Sequence, residues 1–366
     1  MDIANSKLRS SCQPIDMNNI DVIAPNMKFR HTGVTSTVFG LCPIQRKLGQ
    51  RLVVFGYCLP KNIPSIGISS LLTCWKKPIG QNSRIWHARR NNEMLLGVMM
   101  RDVLRMPLKL VFTSPSQRNH SRWTRYLISR MDEVITTSQK SARFIERPST
   151  VIMHGVDTER FRPTSNKQEA RRHLKISEDA KLIGCFGRIR KLKGTDLFVD
   201  CMINILPHHP GWTAVVVGKT TLKHYLFKKN LQRRIYANGL KKRILFIDEQ
   251  SSIEDWYRAL NIFVAPPLYE GFGLTPLEAM ASGIPVVASN TGVFSELLDP
   301  ENAKAGVIVP PRNLHALEKA VLYFMNSKKI MSDTGNRGRE RAVKHFSIVK
   351  EASDIGKVYD RLLRTA

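Results

Sequence analysis

The chain of 366 residues is short of acid: 30 Asp and Glu stand against 57 Lys and Arg, a formal net charge of +27. Such an excess bears on partners rather than on fold. It favours nucleic acid, an anionic membrane surface or an acidic acceptor substrate. Apolar runs near the ~18 residues of a membrane-spanning helix are missing. The opening stretch, 1–20, is polar and lacks the apolar centre of a secretory signal, so a protein made and kept in the cytosol is expected. Cys-x-x-Cys pairs are missing too. Cys12, Cys42, Cys58, Cys74, Cys185 and Cys201 have no histidine at metal-ligand spacing, which points to free thiols and no metal. Gly218-Lys219-Thr220 lacks the earlier glycine of a phosphate-binding P-loop, because Thr213 stands where it is needed. Internal repeats and low-complexity tracts are likewise absent.

What is there is a globular composition, 42% apolar, long enough for two or three domains. The second half alternates short apolar strands, at 182–186, 212–217, 244–247, 262–265, 285–288 and 306–309, with helical patterns at 195–206, 222–237, 252–260 and 293–298. Alternation of this kind predicts parallel β-α-β units. The first half is less regular, with strands expected at 20–24, 51–55, 84–87, 108–113, 133–137 and 150–153. The whole therefore reads as α/β. A polar stretch, 163–181, could join two domains, and 345–363 reads as a separate amphipathic helix. Residues 1–150 carry 23 basic against 8 acidic residues, and 151–366 carry 34 against 22, so the first part is the more basic per residue. Its densest run is Arg118, Arg122, Arg125 and Arg130, with Trp123 and Tyr126 interleaved.

The most informative stretch is 266–292. It sets Glu270 and Glu278 around a turn carrying Gly271 and Gly273, between a strand and a helix. Bare glycines let a ligand approach the backbone, and a helix start attracts phosphate through its free N–H groups. Thr275 is expected as the helix N-cap, with Pro276 at the first position. Carboxylates on both sides of an anion site suit a ligand with hydroxyls at both ends of a phosphate, such as a sugar nucleotide. In Gly187-Arg188-Ile189-Arg190-Lys191-Leu192-Lys193-Gly194, two glycines bracket four cations after a strand, the pattern of a diphosphate clamp or of a solvated basic turn. Open parallel sheets bind ligands beyond the carboxyl ends of their strands, where these turns fall. In the first half, Thr32-Gly33 follows the first strand, either as a close approach to phosphate or as an ordinary tight turn. His87-Ala88-Arg89-Arg90-Asn91-Asn92-Glu93 is dense in polar groups at a strand end. His87 could donate to a sugar hydroxyl or a leaving phosphate, or be a hydrogen-bonded core histidine. His154-Gly155-Val156-Asp157 suits a structural or hinge turn.

The paired glutamates, Gly187-Arg188 with Lys193-Gly194, and His154-Gly155-Val156-Asp157 with Phe161 and Pro163 resemble family 4 retaining glycosyltransferases. Within that family, Thr32–Thr37, 87–93 and Phe112-Thr113-Ser114 look like the lipopolysaccharide core mannosyltransferases. The resemblance implies a GT-B architecture: two facing Rossmann-like domains with parallel sheets, and a last helix crossing back to the first. It divides the chain into an acceptor-binding domain (1–165), a sugar-nucleotide-binding domain (166–345) and a crossover helix (346–366). It implies a retaining, metal-independent transfer of mannose from GDP-mannose onto lipid A bearing Kdo, at the cytosolic face of the inner membrane. Other donors, UDP-glucose or UDP-galactose, and other anionic acceptors stay open.

Carried over by position, Arg188 and Lys193 hold the diphosphate. Glu270 and the amides of Gly271, Phe272, Gly273 and Leu274, with Thr275, grip the hexose. Glu278 binds the ribose, Gly33 and Gly187 admit the phosphates, and His87 matches the family's cleft histidine. Arg89, Arg90, Asn91, Arg118 and Arg122 are candidates for the acceptor. No cofactor beyond the donor is implied, and the partners expected are the glycolipid and an anionic membrane surface. Nucleic acid is the non-enzyme alternative. Two carboxylates in a central cleft argue against it, since they would repel a phosphate backbone.

Overall fold

The structure, a computed structural model, describes residues 15–28, 33–57, 59–60, 62–298 and 304–364. Cys12, Thr32 and Cys58 lie outside the described residues. The chain divides into two compact units: the residues up to Met153 together with those from Glu351 onward, and His154–Lys350.

The first unit is built on a seven-stranded sheet of Val22–Asn26 (β1), Leu52–Gly56 (β2), Ser65–Ile66 (β3), Arg84–Ala88 (β4), Leu108–Ser114 (β5), Glu133–Thr136 (β6) and Thr150–Val151 (β7). Their order is β3-β2-β1-β4-β5-β6-β7, and every pairing is parallel. Order reverses beside β1, where Val22 pairs with Leu52 on one side and Ile85 on the other. β1 and β4 are buried along their whole length, as strands covered on both faces must be. One face packs Ile23, Val53, Trp86, Leu110 and Phe112 into the core. Gly97 is required there, because a Cβ would sit 2.6 Å from the Trp86 ring. β3, two residues long, is not among the strands expected from the sequence.

The second unit holds a six-stranded sheet of Lys181–Phe186 (β8), Trp212–Val217 (β9), Ile244–Ile247 (β10), Ile262–Ala265 (β11), Val286–Ser289 (β12) and Gly306–Val309 (β13), ordered β10-β9-β8-β11-β12-β13 and again parallel throughout. The order reverses beside β8, between β9 and β11. Each unit is thus a doubly wound Rossmann-like sheet, and open sheets of this kind bind ligands at such a reversal, beyond the carboxyl ends of the strands. Ile183, Phe198, Met202, Val216, Val264 and Phe324 anchor the second core.

The crossing segments are tied within the second unit. Val156 donates to Phe346 O at 2.8 Å, Ile348 donates to Val156 O at 2.9 Å, and a Cβ on Gly155 would meet Ser347 O at 2.5 Å. The last helix, Ile348–Arg364, gives its residues from Glu351 on to the first unit. There Ala352 O accepts from Gln50 Nε2 at 3.1 Å, and Arg361 pairs with Glu133 at 2.7 Å. Cys42, Cys74, Cys185 and Cys201 are buried free thiols.

Candidate functional site

In the second unit, β8 ends at Phe186 and the chain turns at Gly187, whose φ of 131° suits glycine. The Gly187 amide donates to Val217 O at 2.9 Å, fixing the turn against β9. Arg188 stands exposed just beyond. Lys191–Lys193 form one tight helical turn, closed by Gly194 at φ 67°, which caps the helix Thr195–Ile205. A Cβ on Gly194 would collide with the carbonyl of Pro266, so the segment 187–194 is pressed against the residue that follows β11.

That same β11 leads into the glutamate turn. Gly273, at φ 78°, is the N-cap of the helix Leu274–Ala281, and a Cβ there would lie 2.7 Å from both Glu270 and Phe294. The expected cap at Thr275 is thus corrected: the left-handed glycine ends the turn two residues earlier, and Leu274 is the first helical residue. Gly292 approaches from the next loop, where a Cβ would lie 2.8 Å from Gly271 O. The stem of the Glu270 side chain lies between these two glycines.

The charges meet there. Lys193 Nζ forms an ion pair with Glu270, the two side chains keeping 22% and 17% exposure. Glu270 Oε1 also accepts from the Gly271 amide at 3.2 Å. Arg190 lies partly buried beside them. Its Nε has no hydrogen-bond partner among the described residues, and its pKa is pushed down by burial and by Arg188, and lifted by Glu270. Arg188, Arg190, Lys193 and Glu270 are therefore one cluster at the carboxyl ends of β8 and β11.

Glu278, one helical turn in, is crowded by protein yet keeps some solvent access. Burial pushes its carboxyl up, opposed by the hydrogen bond from Tyr257 and by Arg160. The buried Tyr257 hydroxyl shares its proton between Glu278 Oε2 at 2.8 Å and Thr275 O at 3.1 Å. Burial, then the Glu278 charge, drives the Tyr257 pKa far up, so it stays a donor. The Phe272 ring is buried edge-on to His154 at 4.9 Å, which leaves its backbone as the group a ligand could meet. Among the described residues no group of three or more His, Cys, Asp and Glu side chains could hold a metal ion.

In the first unit His87 is 0% exposed. Its Nδ1 meets the Tyr359 hydroxyl at 2.5 Å and its Nε2 the Thr113 hydroxyl at 2.6 Å. Burial, with Arg89 nearby, holds it neutral, its pKa well below the usual value. Of the two arrangements open from sequence, it takes the core-facing, hydrogen-bonded one. Arg89 is buried and donates to His87 O. Arg90 forms an ion pair with the buried Glu93 at 2.6 Å and reaches Asn26 and Thr35 at 3.0 Å each. Asn91 is exposed and donates to Thr124 at 2.8 Å. Arg118 and Arg122 are exposed without an acidic partner among the described residues. Gly33 begins the helix Gly33–Lys47.

This glycine-framed cluster of cations and carboxylates has counterparts in known proteins. The chain is 49% identical over 350 residues, 96% of its length, to the whole of the lipopolysaccharide core biosynthesis mannosyltransferase LpsB of Rhizobium meliloti (strain 1021). The chain belongs to the group 1 glycosyltransferases. The family description "Glycosyl transferases group 1" matches residues 166–341, which span the glutamate turn and the clamp. A second relative of this glycosyltransferase is the mannosyltransferase LpcC of Rhizobium leguminosarum bv. viciae, 44% identical over 95% of the chain and 98% of that protein. Among solved structures, Anabaena Alr3699/HepE in complex with UDP superposes with a TM-score of 0.81 at 19% identity, covering 93% of this chain and all of that one. That likeness bears on fold, and the fold is GT-B.

Two groups in this cluster carry no assignment from the sequence. Arg190 was counted among four cations but given no role; its place between the two glycines was the available signal. Tyr257 had none, because it sits on the preceding helix, Ile253–Ala259, and only the fold brings it to Glu278.

Proposed function

We propose that this glycosyltransferase moves mannose from GDP-mannose onto an anionic glycolipid, lipid A bearing Kdo, in lipopolysaccharide core synthesis. We take transfer to retain the anomeric configuration and to need no metal. The observation that carries the reading is the Lys193–Glu270 pair, with Arg188 and Arg190 beside it on glycine turns. Departure of a nucleoside diphosphate builds negative charge. Fixed cations and amides meet that charge without reorganising, which is electrostatic preorganisation. In this reading the diphosphate takes Lys193 from Glu270. The freed carboxylate and the amides of Gly271 to Leu274 then grip the hexose. Glu278, oriented by Tyr257, accepts from the ribose hydroxyls. His87 acts by holding Thr113 and Tyr359 in place rather than by touching substrate. Mannose is favoured over glucose or galactose by the names of the two relatives that match nearly the whole chain.

Thermal-shift titration tests the donor. A ligand at about a hundred times its Kd stabilises the native state by about 2.7 kcal/mol. GDP-mannose should raise the melting temperature while UDP-glucose and UDP-galactose do not; the opposite ranking reassigns the donor. NMR of the product should show the donor's anomeric configuration, and turnover should survive EDTA.

A further inference from the structure

The first unit exposes twelve large apolar or aromatic side chains among its described residues, and eight of them gather in one band. Three short elements make it. In the tight helix Ser69–Trp75, residues three apart eclipse. Leu71 and Cys74 are buried, Leu72 and Trp75 are exposed on the other side, and Ile68, the residue before the helix, is exposed as well. An element apolar on both sides asks for a second contact. The helix Asn91–Val98, prolonged by a π turn, Met99–Val103, carries Leu95, Met99 and Val103 four apart on its outer side. The helix Arg122–Ser129 buries Thr124, Leu127 and Ile128 and leaves Trp123 and Tyr126 outside, stacked at 5.7 Å.

Hydrogen bonds join the three. Trp75 Nε1 donates to Leu104 O at 2.8 Å. Arg101 donates to Arg130 O at 2.7 Å, and Asp102 pairs with Arg130 at 2.7 Å. The Asn91–Thr124 bond closes the other end. The band so formed carries one sign of charge. Lys76, Lys77, Arg105 and Arg122 are exposed on it without an acidic partner among the described residues. Its own acid, Asp102, is neutralised by both Arg101 and Arg130.

We infer that this band lies on an anionic lipid bilayer. The inference rests on the reading of a glycolipid acceptor and names the face that meets the membrane. Ile68, Leu72 and Val103 stand out at 75%, 64% and 71% exposure. Side chains that protrude suit a fluid interface, whereas a rigid protein partner would have to offer a matching hollow for each. Trp and Tyr place a polar edge at headgroup level, and the cations meet lipid phosphates.

The test is sedimentation of the full chain with phosphatidylglycerol and with phosphatidylcholine vesicles, in parallel with transfer to acceptor dispersed in detergent micelles. The wild type binds the anionic vesicles and leaves the neutral ones. Lys76→Gln, Lys77→Gln and Arg105→Gln together lower that partition by about a hundred-fold, at about five-fold per cation. Leu72→Ser with Val103→Ser lowers it by about ten-fold or more, with little dependence on salt. Both variants keep the wild-type melting temperature and the wild-type rate in detergent. Variants that sediment like the wild type, a wild type that ignores anionic vesicles, or variants that lose transfer in detergent while folded would each overturn the docking face. A wild type that binds vesicles but never glycosylates the dispersed acceptor would overturn the acceptor reading instead.

Discussion

At the carboxyl ends of β8 and β11 the second unit holds Arg188, Lys193 and Glu270 on turns broken by Gly187, Gly194 and Gly273, where solvent still reaches the charges. At the carboxyl end of β4 the first unit folds His87, Arg89, Arg90 and Glu93 into its interior. Both segments carry several charged residues. They differ in backbone: left-handed glycines keep the first set at the surface, while the second continues from a strand straight into the helix Asn91–Val98. Charge on a glycine turn is available to a ligand, and charge on a regular element is consumed by the fold.

The comparison breaks most sharply at Glu93. Its carboxylate holds Arg90 and accepts from the Arg89 amide at 2.8 Å. Removing one member of a buried pair strands the other, so Glu93→Ala should cost about 4 kcal/mol of stability. Chemical denaturation measures this, and GDP-mannose binding by the folded fraction should be unchanged. A stable Glu93→Ala protein that has lost activity would move this network to the functional side.

Next come Arg188→Ala and Lys193→Ala. Each should raise the barrier by about 3 kcal/mol, some hundred-fold or more in kcat, with an unchanged melting temperature. Wild-type turnover in both would remove the clamp.

Tyr257→Phe is intermediate in kind, a buried residue serving a ligand group. Loss of a hydrogen bond to a charged acceptor should weaken nucleotide binding by about 2 kcal/mol, near thirty-fold in Kd by calorimetry.

The smallest effect is the pH response of His87. Its folded pKa is lowered, so the unfolded chain binds the extra proton. The stability that the neutral ring supplies is complete above the ordinary pKa of about 6.5. It is lost as pH falls below that value, by about 1.4 kcal/mol per unit. Glu278, whose pKa is raised, runs the other way and gains as it protonates. His87→Asn should flatten the low-pH decline in melting temperature; an unaltered decline would assign it to other groups.

Much of the second unit was legible. Strands 212–217, 244–247, 262–265 and 306–309 fall on the residues expected, because short apolar runs between helical periods carry their own bounds. The turns around Glu270 and between Gly187 and Gly194 also fall where expected, with positive-φ glycines at 187, 194 and 273 marking them. The start of the helix after Glu270 was misplaced. Thr275-Pro276 is a sound local signal, but Gly273 can end the turn earlier at φ 78° where no other residue fits. In the first unit, polar density at 87–93 suggested a functional loop. Sequence could not reveal that Tyr359 and Thr113 would close on His87, since one partner lies 272 residues away. The outward band was only half visible: Trp123 and Tyr126 stood out among arginines, whereas Leu72 and Val103 look like core residues until the fold shows them uncovered.

The joining of the last helix to the first sheet has a consequence for how the protein is made. Domains usually fold in the order they leave the ribosome, the earliest first. Here Gln50 waits for Ala352, 302 residues later, and His87 for Tyr359. The half synthesised first is completed late, and a nascent chain released before Tyr359 is added would leave the ring of His87 unsealed.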